Sequence, residues 1–276
     1  MDILYILGKG SRWNNSEIRY SLRSLNKYGQ NIRKVYVCGF DAGFFSDEIT
    51  FIPCDDPYGF AHKNIMYKIN HAIEHSDIGE EFLLSSDDHF IVRDTDFDNF
   101  PYYKKGELKI AYAKNSTYWK SLGDTYKLLR EEGLTTSMCN PHCNTHFSRT
   151  AWEETKSIRE RAICYPYGCE INCIMGNWFR SKGKELTHYR DVKVKSFQNE
   201  EELLEQIGDN HCFSIYDSAI DCGIGKYLNK LFPSPCKYEK ESADPIKYKS
   251  NTDCIISEDG MRVTNKNGLK IYHRMR

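Results

Sequence analysis

The 276-residue chain has no apolar run approaching the ~20 residues that a bilayer-crossing helix needs, so no transmembrane segment is expected. It also lacks an excess of either charge, with 38 lysines and arginines against 39 aspartates and glutamates. No overall basic field marks it for nucleic acid or a membrane surface, although a local basic face stays open. Its start, MDILYILGKG, lacks the basic region and longer apolar stretch of a secretory leader, and the expectation is a soluble, cytoplasmic protein. Internal repeats and low-complexity tracts are missing as well. Eleven cysteines occur without paired Cys-x-x-Cys spacing, and a chain of this length needs no disulfide scaffold, so they read as reduced. The densest group is Cys139, His142, Cys143 and His146. Zinc uses such ligands, but the irregular spacing favours buried thiols beside a functional histidine.

What the chain does have is the stretch FLLSSDDHFIV at 82–92, an apolar run that climbs to Asp87 and Asp88. A continuous apolar run of this length suits a strand buried on both faces of a parallel sheet. Ligands of open α/β sheets collect beyond the carboxyl ends of the strands, so paired acids there point to a divalent cation and a phosphate-bearing ligand. Adjacent strand residues face opposite sides, which assigns the two aspartates different tasks. The plain alternative is that they open a turn, as aspartate often does.

Further strands are expected at 3–7, 35–39, 49–53, 108–113, 192–197 and 212–217, and helices at 16–28, 60–75, 117–132, 152–161 and 200–207. The first strand ends in Gly8-Lys9-Gly10-Ser11, where glycine allows close approach of a ligand and Lys9 adds charge for a diphosphate; the spacing is neither a P-loop nor a dinucleotide fingerprint. Arg19 and Arg23 form a stripe four residues apart that could reach phosphate or face solvent. On the 60–75 helix, Asn64 and Lys68 share a side and are candidates for donor contact. His142 is a candidate for proton transfer, phosphate or metal binding, and Glu170 is a candidate general base, with a helix-start acid as its alternative. Two turn signals, Asp259-Gly260 and Asn267-Gly268, predict a late hairpin.

Together YILGKGS, SEIRYSLRSLNKYGQNIRKVYV, KNIMYK followed by FLLSSDDHF, the histidine loop, and FSIYD with YLNKLFPSPCKYE resemble nucleotide-sugar glycosyltransferases of the GT-A type. More narrowly, they resemble phage and bacterial glycosyltransferases related to the Stealth capsular-polysaccharide transferases. The resemblance covers most of residues 1–240. It implies an α/β, Rossmann-like fold with a mostly parallel sheet flanked by helices, a transferase domain over 1–240 and a C-terminal extension over 241–276. It implies a nucleoside diphosphate sugar donor, such as a UDP-sugar, near Gly8–Ser11, and Mn²⁺ or Mg²⁺ on Asp87 and Asp88, with Asp88, His142 and Glu170 at the chemistry. The acidic motif here is Ser-Asp-Asp rather than Asp-x-Asp, and the family's H-x-P reads His142-Cys-Asn. Phage proteins of this kind suggest a 5-hydroxymethylpyrimidine in DNA as acceptor, served by Tyr102-Tyr103-Lys104-Lys105, Trp119-Lys120 and Trp178-Phe179-Arg180 with Lys182 and Lys184. A glycan acceptor, sugar-phosphate transfer, and a non-catalytic nucleotide-sugar binding protein are the alternatives.

Overall fold

Apolar runs without polar alternation demand cover on both faces, and the central sheet of the computed structural model supplies it. The structure describes residues 1–9, 11–109, 116–244 and 246, and the backbone of the strands Cys254–Ile256, Arg262–Lys266 and Leu269–His273. The strands of the central sheet lie in the order Ile49–Pro53, Lys34–Gly39, Asp2–Leu7, Glu81–Ser85, Thr145–Ser148. The first four are mutually parallel and the last is antiparallel. Side chains of the first strand alternate between two cores. Ile3, Tyr5 and Leu7 pack with Ile18, Leu22 and Leu25 of the helix Ser16–Tyr28, while Leu4 packs on the other face with Met66, Ile69 and Ile73 of the helix Ala61–Glu74. The expected α/β architecture, a mostly parallel sheet flanked by helices, is the one observed. None of the helices among the described residues is long and apolar enough to cross a membrane.

The strand order turns back at Asp2–Leu7: the chain first builds outward on one side of it, then crosses to place Glu81–Ser85 on the other. A crevice opens beyond the carboxyl ends of two such strands because their connections leave in opposite directions. The run at 82–92 is not one strand. It divides into Glu81–Ser85 in the central sheet and Phe90–Ile91 in a second sheet, with a turn over 86–89 between them. In that turn the His89 backbone N–H donates to the Ser86 carbonyl at 3.2 Å and the Ser86 N–H donates to His89 Nδ1 at 3.3 Å. Two serines and two aspartates satisfy a turn's backbone better than a strand's, which is why the apolar run breaks there. Beyond the turn, Phe90–Ile91 pairs antiparallel with Cys212–Ile215, which pairs parallel with Lys193–Val194. The aspartate turn is thereby enclosed by a distant part of the sequence.

Arg19 and Arg23 do not reach the crevice. Four residues apart on one helix, both converge on the fully buried Glu239 carboxylate, Arg19 Nε at 2.7 Å from Oε2 and Arg23 Nε at 2.5 Å from Oε1. Arg19 also donates to the Asp244 carbonyl and Arg23 to that of Phe232. The anion that this stripe meets belongs to the protein itself, and it straps residues 232–244 onto the first helix. Later, Cys254–Ile256, Arg262–Lys266 and Leu269–His273 form an antiparallel three-stranded sheet. The Asp259-Gly260 and Asn267-Gly268 turn signals lie outside the described residues, as do residues 110–113 of the expected 108–113 strand.

Removing one partner of a buried ion pair leaves the other charge desolvated and unpaired. Glu239→Ala should therefore cost about 3–5 kcal/mol in chemical denaturation. A loss below about 1 kcal/mol, the range of an exposed pair, would contradict this role for the strap.

Candidate functional site

A cleft of about 1030 Å³ lies at the reversal of the strand order. Its floor is formed by Ile6, Leu84, Ser85 and Ser86 at the strand ends. One wall comes from the second sheet and the histidine loop, and the other from the helices Thr117–Glu131 and Ile171–Ser181.

At the aspartate turn only Asp88 of the pair lines the cleft. Its Oδ2 accepts the Ser214 hydroxyl at 2.6 Å and the Lys193 ammonium at 3.2 Å, both delivered by the second sheet. Burial disfavours the charged form, but Lys193, His89 and Ser214 outweigh it and hold the Asp88 carboxyl below its usual range. Asp87 faces the opposite balance. Burial first, then the charges of Asp88 and Glu17, push it up to about 7. The two acids do occupy different environments, though the cause is a turn rather than strand alternation.

On the histidine-loop side of the same wall stands His142. Its ring Nδ1 lies 2.7 Å from Asp191 Oδ2, and its backbone N–H donates to Asp191 Oδ1 at 2.6 Å. Lys105 Nζ also donates to Asp191 Oδ2, at 2.9 Å. Burial opposes charge on Asp191, yet its bonds to His142 and the nearby Lys105 hold it far below the usual carboxylate range. An ionised Asp191 fixes the proton of His142 on Nδ1 and leaves Nε2 as the acceptor, the arrangement by which a carboxylate orients a histidine base. Asp191 and Lys193 both line the cleft, two residues apart at the start of an extended segment where alternate residues share a side. Neither is a candidate on sequence grounds. The alternation in Arg190-Asp191-Val192-Lys193 is the signal that could have found them.

Glu170 is the N-cap residue of the helix Ile171–Ser181 and is buried. Its Oε2 accepts Asn140 Nδ2 at 2.9 Å, and Asn172 Nδ2 in turn donates to Asn140 Oδ1 at 3.0 Å. His62 Nδ1 stands 3.5 Å from the same Oε2, buried and without a hydrogen bond. Glu170 thus anchors a pair of cleft amides.

The remaining sequence candidates sit elsewhere. Lys68 is buried and holds the Leu7 carbonyl at 2.9 Å and Asp56 Oδ1 at 2.6 Å, finishing the first strand. Asn64 closes the preceding loop through both backbone groups of Tyr58, at 2.8 Å each. Lys9 pairs with Asp55 on the surface. Ser11 accepts the N–H groups of Trp13 and Asn15 and donates to Glu17 at 2.8 Å, which shapes the turn into the first helix. A side chain at Gly8 would meet only Asp56 Oδ2, at an ordinary 3.9 Å, and Gly10 lies outside the described residues.

The donor set fits a divalent cation poorly. Mn²⁺ or Mg²⁺ would take one or two carboxylates together with phosphate oxygens, but here Asp87 does not line the cleft and Asp88 already carries an ammonium and a hydroxyl on one oxygen. Among the described residues no group of three or more His, Cys, Asp or Glu side chains is arranged to hold a metal. That also separates the Cys139–His146 group: His142 bonds Asp191, and His146 Nε2 lies 2.6 Å from the Phe100 carbonyl. Cys139, Cys143, Cys164, Cys169 and Cys173 are free thiols.

A pile of rings supports the Asp191 loop. His211 packs against Phe100, Tyr103 and Tyr189, and its Nε2 is buried without a partner. Burial pushes His211 down to about 4. A histidine depressed in the folded state binds its proton more readily when unfolded, so its cost grows as pH falls from ~6.5 toward ~4. His211→Phe should cut the stability lost between pH 7 and pH 5 by up to about 2 kcal/mol in urea denaturation, and an unchanged pH slope would contradict the buried neutral ring.

No family model and no curated protein matches the chain. Solved structures do. The galactosyltransferase LgtC, in complex with donor and acceptor sugar analogs, is 12% identical over 89% of this chain and 98% of that one, with a TM-score of 0.48. A glycosyltransferase involved in glycosylation of the major capsid of PBCV-1 is 12% identical over 84% and 98%, with a TM-score of 0.40. A nucleoside-diphosphate-sugar pyrophosphorylase from Vibrio cholerae RC9 is 12% identical over 68% and 91%, with a TM-score of 0.38.

Proposed function

We propose that this chain is a glycosyltransferase that takes the sugar of a nucleoside diphosphate sugar and moves it to an acceptor hydroxyl with inversion. The observation that carries the reading is the His142–Asp191 pair, 2.7 Å apart, lining a cleft at the strand-order reversal that the Asp88–Lys193 corner also lines. The acceptor oxygen attacks the anomeric carbon and gives its proton to His142 Nε2, while the bond from that carbon to the diphosphate breaks and its electron pair leaves with the phosphate. Asp191 stabilises the imidazolium that forms, and Lys105 keeps Asp191 ionised. Glu170 acts as a positioning residue for Asn140 and Asn172, which present amides to sugar hydroxyls.

The Stealth-like relation and the hydroxymethylpyrimidine acceptor rest on the sequence motifs. Of the aromatic and basic clusters read as acceptor contacts, Trp119 and Lys105 line the cleft, together with Tyr118. Tyr102 and Tyr103 stack on His146 and Tyr189, and Phe179 is buried. Lys105 is engaged with Asp191, so the stacking surface left at the cleft suits one ring at a time, a flipped base or a single sugar. We propose residues 1–240 as the catalytic unit and 241–276 as an extension.

The test incubates purified protein with a panel of nucleotide sugars, with and without hydroxymethylated DNA or simple glycosides, and reads products by mass spectrometry. His142→Gln should lower turnover about 10²–10⁴-fold while leaving donor affinity within about threefold. Asp191→Asn should fall in the same direction by losing the tautomer that frees Nε2. Full turnover in His142→Gln would remove the proposed base, and no turnover of any donor by the wild type would leave a binding protein.

A further inference from the structure

Two aspartates line the cleft, and each already holds a lysine, but the two lysines are held differently. Lys105 is tied at 2.9 Å to a carboxylate that His142 also clamps through two bonds. Lys193 makes the longer contact, 3.2 Å, to an oxygen that Ser214 grips at 2.6 Å. When Lys193 swings away, Asp88 keeps a partner. The ammonium also lies 5.1 Å above the Tyr216 ring at the cleft wall, and its side chain is 23% exposed. A compact charge on a rotatable stem, lightly held at the wall of the cleft, suits a phosphate contact.

Taking the cleft as the site of a diphosphate-linked sugar, we propose that Lys193 is the cation that receives the donor diphosphate, handed over from Asp88, so that donor binding needs no divalent metal. Asp88 is then the resting counter-ion of Lys193 and competes with the diphosphate for it. This gives the aspartate a sign opposite to that of a metal ligand. Removing Asp88's charge frees Lys193 and strengthens diphosphate binding, whereas removing a metal ligand weakens it.

Calorimetric titration separates the two. Inorganic pyrophosphate and the four nucleoside diphosphates UDP, GDP, CDP and ADP are titrated into wild type, Asp88→Asn, Lys193→Arg and Lys193→Met, once in chelator and once in Mn²⁺. In chelator the wild type should bind pyrophosphate, Lys193→Met should weaken it about tenfold, and Asp88→Asn should tighten it about threefold or more. Lys193→Arg should stay within about threefold of wild type, because a cation on a long stem is retained. If Lys193→Met does not fold because Asp88 is left unpaired, the double variant Asp88→Asn with Lys193→Met removes both charges. It should still bind pyrophosphate about tenfold more weakly than the wild type in chelator; wild-type affinity there would overturn the proposal. Binding by the wild type only in Mn²⁺, or weaker binding by Asp88→Asn in chelator, would overturn it too. Nucleotides that bind only with Mn²⁺ would reject the role of Lys193 and keep the nucleotide-sugar reading. The expected pyrophosphate pattern with no nucleoside diphosphate bound would keep Lys193 and reject that reading.

Discussion

The Asp88 carboxylate, held between the Ser214 hydroxyl and the Lys193 ammonium, is the point on which the cleft depends. A charge at the end of a buried strand is costly unless it is paired and hydrogen-bonded. Here the partners come from residues more than a hundred positions downstream, carried by a small sheet whose third strand is the continuation of the aspartate turn itself. The chain leaves the central sheet at Ser85, turns through the two acids and enters the second sheet at Phe90. That departure opens the crevice and supplies its wall in one movement.

The same wall builds the second polar centre. Tyr189 packs on Tyr103 and His211, and its hydroxyl donates to the Cys212 carbonyl at 3.0 Å. This fixes the start of the segment that carries Asp191 and Lys193. One extended stretch therefore sets both ends of the cleft, the histidine pair and the lysine corner, with a spacing decided by backbone rise rather than by side-chain freedom. The facing helices contribute amides and rings, held by the buried cap Glu170.

The four parallel strands of the central sheet were legible because continuous apolar runs bounded by glycine and acids have few other places to go, whereas the antiparallel Thr145–Ser148, which begins inside the polar histidine loop, was not. The helices Ser16–Tyr28, Ala61–Glu74, Thr117–Glu131 and Glu200–Ile207 followed from their apolar spacing to within about one residue of the expected bounds. At the site, Asp88, His142 and Glu170 stood out as polar residues in unusual company, and all three line the cleft. Asp191 and Lys193 did not, since their partners are 49 and 105 positions away and no local rule joins them. Arg19, Asn64 and Lys68, expected at the donor, hold partners within the chain: a charged or amide group that could meet a ligand meets the chain's own backbone or carboxylates equally well, and sequence spacing does not distinguish the two.

The most direct measurement is a crystal structure with a non-hydrolysable nucleoside diphosphate sugar. The expected result has the diphosphate within hydrogen-bond reach of Lys193 at the strand-order reversal and the anomeric carbon facing His142 Nε2 across the cleft. A donor bound elsewhere, or one in the cleft with its diphosphate away from Lys193 and its sugar away from His142, would contradict the transferase geometry described for this site.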